Sequence, residues 1–262
     1  MRVLFFGDVV GENAVDQLAM DIPRWRKENR VDLVIVNIEN SVVSHPDSPE
    51  CGFGVSLAVV NKLIAAGVDV LTGGNHSWDA PSCETVMSHP QVVRPANIVD
   101  DLPGRGCLTL QVNGDSVNVI NLMSAGAAGD RYRTIRPYEY FQTQSFEPGS
   151  ITIVDFHAGI PVEKYVLAHT LDGKVAAVMG THTHEPTLKL HRLPKGTYFV
   201  ADVGMNGPSD GILGMGAQHF VKKEQQQATV DFHLAKGPLQ LGAVLFDTEK
   251  TEILRLQDTN WL

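Results

Sequence analysis

Five stretches of this chain deliver side chains of metal-ligand type directly after an apolar run. Asp8 follows "RVLFFG", Glu39 and Asn40 follow "DLVIVNI", Asn75 and His76 follow "VDVLTGG", His157 follows "ITIVDF", and His182 and His184 follow "VAAVMGT". Carboxylates, amides and imidazoles are the mixture that a pair of divalent cations requires, with hard oxygen donors, some nitrogens and one carboxylate able to bridge. Two such ions about 3.5–4 Å apart lower the pKa of a bridging water and clamp the attacking and leaving oxygens of an in-line displacement. With only Asp8 and Glu39 carrying negative charge, the site stays net positive even after a bridging hydroxide is added. That surplus suits an anionic phosphate ester.

A lone strand-ending Asp or Asn is commonly a turn former or a helix cap. Five strand ends together read as one metal site, because in open α/β sheets the functional crevice lies outside the carboxyl ends of the strands. In "VMGTHTHEPT" the two histidines are one residue apart, and an extended chain projects positions i and i+2 to the same side. The spacing predicts that His182 and His184 can face one object. His76 follows Asn75 directly in a glycine-rich strand-to-helix turn, where adjacent side chains can diverge. It is expected to face substrate, not metal, and to act as the general acid.

These side chains need elements to hold them. "RVLFFG", a helical segment at 13–29, "DLVIVNI", a second at 54–66 and "VDVLTG" form a βαβαβ rhythm. The runs are almost wholly apolar, as expected for strands covered on both faces by helices. Further strands are expected at 117–122, 151–156, 175–180 and 197–202. A helix is expected over about 161–170, opened by Pro161 and stopped at "DGK". The last third, "ATVDFHLAK", "LQLGAVLFDTE" and "TEILRLQD", reads as antiparallel strands turning at Lys236–Gly237 and Glu249–Lys250. Both halves are expected to share one sheet system, in a single domain spanning 1–262.

Composition narrows the function classes. The chain has 262 residues, 43% of them hydrophobic, and a formal charge of −9. That charge disfavours a broad footprint on long nucleic acid and leaves a small phosphate-ester substrate as the expected partner. No apolar stretch approaches the roughly 20 residues of a membrane span, and the N-terminus lacks a cleavable signal pattern. The protein is read as cytoplasmic, with no membrane partner and with homo-oligomerisation left open. Cys51, Cys83 and Cys107 show no C-x-x-C spacing and are read as buried or idle thiols. Arg131, Arg133 and Arg136 in "DRYRTIRPYEY" are expected in a solvated loop. His45, His89, His169, His191, His219 and His233 lack the strand-end context and are read as surface or core residues.

The ordered set "GDVVG" (7–11), "NIEN" (37–40), "GGNHSWD" (73–79), "DFHA" (155–158), "GTHTH" (180–184) and "DVGMNGP" (202–208) resembles the YmdB-like branch of the calcineurin-like metallophosphoesterases. The resemblance spans nearly the whole chain. It implies an α/β fold of the four-layer α/β/β/α sandwich type and phosphodiesterase activity on small substrates such as 2′,3′-cyclic nucleotides. It also implies two divalent or trivalent transition-metal ions, iron in first place and manganese in second. Carried over by matching positions, Asp8, Glu39, Asn40 and His184 hold one metal. Glu39, Asn75, His157 and His182 hold the other, so that Glu39 bridges. The same resemblance implies His76 as the acid that protonates the leaving group after attack by a metal-bridging hydroxide.

Other classes are separable. A mononuclear iron oxygenase with a two-His-one-carboxylate triad leaves Asn40 and Asn75 without a role. No G-x-S-x-G elbow and no G-x-x-x-x-G-K-[ST] loop occurs, which disfavours a serine hydrolase and a P-loop motor. The alternative retained is a metal-binding regulatory protein with little or no catalytic turnover.

Overall fold

The computed structural model describes residues 1–43, 53–227 and 232–258. Its first half runs β1 (Arg2–Phe6), α1 (Glu12–Glu28), β2 (Leu33–Asn37), the short pair β3 (Val42–Val43) and β4 (Phe53–Gly54), α2 (Leu57–Ala65), β5 (Val70–Thr72), α3 (Cys83–Met87) and β6 (Val92–Val93). There follow β7 (Cys107–Val112), β8 (Asp115–Met123), α4 (Ala125–Ala128), α5 (Pro137–Gln142), β9 (Ile151–His157), α6 (Pro161–Thr170), β10 (Ala177–Thr181), β11 (His191–Arg192) and β12 (Tyr198–Val200). The chain then forms β13 (Gly207–Pro208), α7 (Ala217–Glu224), β14 (Leu239–Asp247) and β15 (Ile253–Asp258).

Two sheets result. One has the order β13-β14-β1-β2-β5-β6 with β15 on β14, and the other the order β11-β12-β10-β9-β8-β7. Alternation along each strand sorts the side chains into layers. Val3, Phe5, Leu33 and Ile35 meet Val117, Val119, Ile153 and Met179 between the sheets. Leu4, Phe6, Val34 and Val36 face the other way, onto Val15, Leu18 and Ile22 of α1 and Val59, Val60 and Leu63 of α2. On the far side, Ile120, Val154, Phe156 and Val178 pack on Leu167 and Ala168 of α6. The order is α/β/β/α, as the motif resemblance implies.

Helices therefore do not cover both faces of the strands. Each sheet has helices on one face and the other sheet on the second, and both environments are dry, so the apolar runs look the same from sequence. The expectation of one sheet system also needs correction. β14 and β15 do return to the sheet of β1, with Val3 opposite Phe246, but β7 to β12 form a separate sheet. Helix α6 starts at Pro161 and ends at Thr170 as expected. In "ATVDFHLAK", residues 228–231 lie outside the described residues, and the remainder carries only an isolated bridge from Leu234 to Met215. The short helix α7 and the two-residue strands lack enough sequence to show a period. No helix of the described residues is long and apolar enough to cross a membrane.

Candidate active site

The parallel pairs β1–β2–β5 and β9–β10 all end at one edge of the sandwich. Asp8, Glu39, Asn40, Asn75, His157, His182 and His184 come from these ends. All but His182 are buried. Glu39 lies at the centre. Its Oε1 is 3.1 Å from His157 Nε2, its Oε2 accepts the His76 backbone N–H at 3.0 Å, and ligand atoms of Glu39, His157 and His182 lie within 4.8 Å of one another. Asn75 Oδ1 is 2.9 Å from His157 Nε2. Asp8 Oδ1 is 3.8 Å from His184 Nε2, and Asp8 Oδ2 accepts the backbone N–H of His182.

Hydrogen bonds behind the imidazoles fix which nitrogen faces inward. The Thr181 hydroxyl donates to Asp155 Oδ1 at 2.7 Å and so is left to accept from His157 Nδ1 at 3.0 Å. His184 Nδ1 donates to the Leu213 carbonyl at 3.2 Å. Both Nε2 atoms are thereby turned toward the carboxylates, in the manner of metal-ligating histidines held by an outer acceptor.

The buried carboxylates and imidazoles shift one another's protonation. Burial alone disfavours ionised Glu39, but the neighbouring His157 overrides it and holds this carboxyl well below the usual range. Burial likewise disfavours charged His157, and the Glu39 carboxylate outweighs it, lifting the imidazole to about 9. Burial, followed by the charge on His157, pushes His182 down to about 3. Asp8 is raised, first by burial.

Two observations test whether a metal fits. The Oδ1 atoms of Asp8 and Asn40 are buried without a hydrogen-bond partner among the described residues, a costly state for acceptors unless a cation completes it. Gly74 also borders a cradle that must stay open, since a Cβ there would collide with Glu39 Oε2 and the His157 ring. The donors fit divalent cations.

His76 stands at the rim. Its Nδ1 is 2.7 Å from Asp79 Oδ2, and Arg131 pairs with the other oxygen of Asp79. Burial opposes ionisation of Asp79, but hydrogen bonds from His76 and Arg131 keep its carboxyl below the ordinary value. Phe53 meets His76 edge-on at 5.0 Å between centroids, and Phe232 meets Phe53 at 5.6 Å.

The sequence profile of the YmdB-like protein family matches residues 4–257. The chain belongs to the YmdB-like family. A Bacillus subtilis relative named 2′,3′-cyclic-nucleotide 2′-phosphodiesterase is 34% identical over 250 residues, covering 95% of this chain and 92% of its own. A solved structure from Thermus thermophilus superposes with a TM-score of 0.84 at 33% identity, covering 98% of each chain. A Mycoplasma pneumoniae structure titled a novel phosphatase gives 0.86 at 28% identity, covering 98% of this chain and 93% of its own.

Two sequence expectations change at the site, and one buried carboxylate is added. The chain is not extended through the histidine pair: β10 ends at Thr181, and φ is 93° at His182 and 65° at His184. Strand alternation therefore does not explain how the pair is aimed. Arg131 is bound to Asp79 beside His76 and is not merely solvated, whereas Arg133 pairs with Asp100 away from it. Asp155 received no role, yet it is fully buried and accepts hydrogen bonds from Thr72, Asn37 and Thr181, its carboxyl lifted by burial to about 6. A carboxylate inside the apolar run "ITIVDF" was the available signal. His45 and Cys51 lie outside the described residues; Cys83 and Cys107 are free thiols.

Proposed function

We propose that this phosphoric ester hydrolase of the YmdB-like family cleaves small phosphodiesters, 2′,3′-cyclic nucleotides in first place, at a dinuclear metal centre. The observation that carries the reading is the pair of buried acceptors, Asp8 Oδ1 and Asn40 Oδ1, that lack a hydrogen bond among the described residues, beside the cluster of Glu39, His157 and His182. Asp8, Glu39, Asn40 and His184 would hold one ion, and Glu39, Asn75, His157 and His182 the other. Mixed oxygen and imidazole donors suit first-row transition metals such as iron or manganese. When bound, the ions supply an activated water and the positive charge that phosphoryl transfer demands.

The chain's own groups do the rest. Attack on phosphorus by the oxygen of a water that gives up a proton to solvent forms one P–O bond and breaks the bond to the ribose 2′-oxygen, which leaves with the electron pair and must gain a proton. His76 donates it, oriented by Asp79 on Nδ1, with no protein partner on Nε2 among the described residues. Such acid catalysis is typically worth about 10²–10⁴-fold. Phe53 borders the acid and Phe232 packs on Phe53, an aromatic surface that suits a nucleoside leaving group.

The test is a substrate panel assayed with manganese: cyclic nucleotides, linear diesters, monoesters and structured RNA. Faster turnover of a 2′,3′-cyclic nucleotide, giving the 3′-monophosphate, is expected. Preference for structured RNA would overturn the small-substrate reading. Metal binding without turnover of any ester would return the protein to the regulatory alternative.

A further inference from the structure

The loop bearing His182 and His184 has a backbone that L-residues rarely adopt. Positive φ at two nearby non-glycine residues persists only where the surroundings over-determine it. Between them stands Thr183, whose backbone N–H and hydroxyl both donate to Asp202 Oδ2, at 3.1 and 2.6 Å. Asp202 Oδ1 accepts the Gly204 N–H at 2.8 Å. From α6, Lys164 places its Nζ 2.7 Å from Asp202 Oδ2. Lys164 is 1% exposed and Asp202 3%.

A buried ion pair is weak grounds for stability, because desolvation of both charges offsets their attraction. This one has a geometric consequence instead. Its carboxylate grips the single residue between two proposed ligands, while His182 N–H is tied to Asp8 and the His184 carbonyl accepts from Met205. Gly180, just before the loop, lies so close to the Ala201 carbonyl and the Lys164 stem that no Cβ fits. The loop is thus clamped against the segment that carries Asp202.

We propose that the Lys164–Asp202 pair, acting through Thr183, is a positioning element of the metal centre that fixes where His182 and His184 present their nitrogens. The inference rests on the reading of those histidines as ligands. Its effect belongs to metal affinity more than to the fold, because Thr183 itself is only partly buried.

Thr183→Val removes the hydroxyl donor at nearly constant shape, and Thr183→Ser keeps it. Manganese(II) affinity of each metal-stripped protein is measured by titration at a temperature where circular dichroism shows it folded. Thr183→Val should bind manganese roughly 10–100-fold more weakly, the usual range for outer-shell partners of metal ligands. Thr183→Ser should restore affinity to within about threefold of wild type. The melting midpoint of the metal-free protein should change little in either. Wild-type affinity in Thr183→Val, or equal weakening in both variants, would overturn the clamp. Asp202→Asn leaves Lys164 buried without its counter-charge and tests the same point only if it folds, so the Thr183 pair carries the decision. His182→Ala separates the two claims. If it binds manganese normally, the ligand reading fails; if it loses metal while Thr183→Val does not, only the clamp fails.

Discussion

The His76 ring is held by Asp79 and is not one of the proposed ligands, so its removal should alter chemistry without altering metal content. His76→Ala should slow a cyclic nucleotide, whose alkoxide needs a proton, by about 10²–10⁴-fold. A nitrophenyl diester, whose leaving group departs without help, should slow far less. Equal losses on both, or loss of a metal, would remove His76 from the acid role. Asp79→Asn keeps the shape but loses the carboxylate that accepts from His76 and Arg131. It should show the same leaving-group pattern at smaller amplitude, read from kcat on the two substrates. The residues named from sequence were those at strand ends, where a polar side chain interrupts an apolar run. Asp79 and Arg131 escaped because their ion pair joins positions 52 residues apart. Lys164 and Asp202, 38 apart, escaped for the same reason.

At the scale of elements, the strands separate stability from site geometry. Phe246 lies between the sheets at the register of Val3, at the end of β1 remote from Asp8. Phe246→Ala should destabilise the fold by about 3–5 kcal/mol, as large core truncations do, and leave metal stoichiometry of the folded protein unchanged. Gly74→Ala is the converse case. Its Cβ would enter the space of Glu39 and His157, so metal binding should collapse with a smaller change in melting midpoint of the metal-free protein. Denaturant melts and elemental analysis of the two variants check both halves. Equal metal loss in both would mean that the site depends on global packing. Helix α1 was legible because Val15, Leu18, Ile22 and Trp25 recur on one face. The second sheet was not legible from the apolar runs, since a strand with two dry faces reads alike against helix or sheet. Nor could spacing reveal the positive φ of His182 and His184, a property of the clamped loop and not of the residue types.

For the whole molecule, the formal charge is −9, whereas two cations would make the site itself positive. On the proposed reading, favourable potential would be confined to the site, and small anions would be preferred to long polyanions. The four layers bring the carboxyl ends of two parallel strand sets to one edge, so residues as distant as Asp8 and His184 meet there. Glu39 is the residue on which both proposed metal sites depend. The most direct measurement is elemental analysis of wild type and Glu39→Ala purified identically. Near two equivalents of transition metal per chain are expected for wild type, and loss from both sites for the variant, with turnover of 2′,3′-cyclic nucleotide abolished. A Glu39→Ala protein that retained two tightly bound metals and normal turnover would contradict the account.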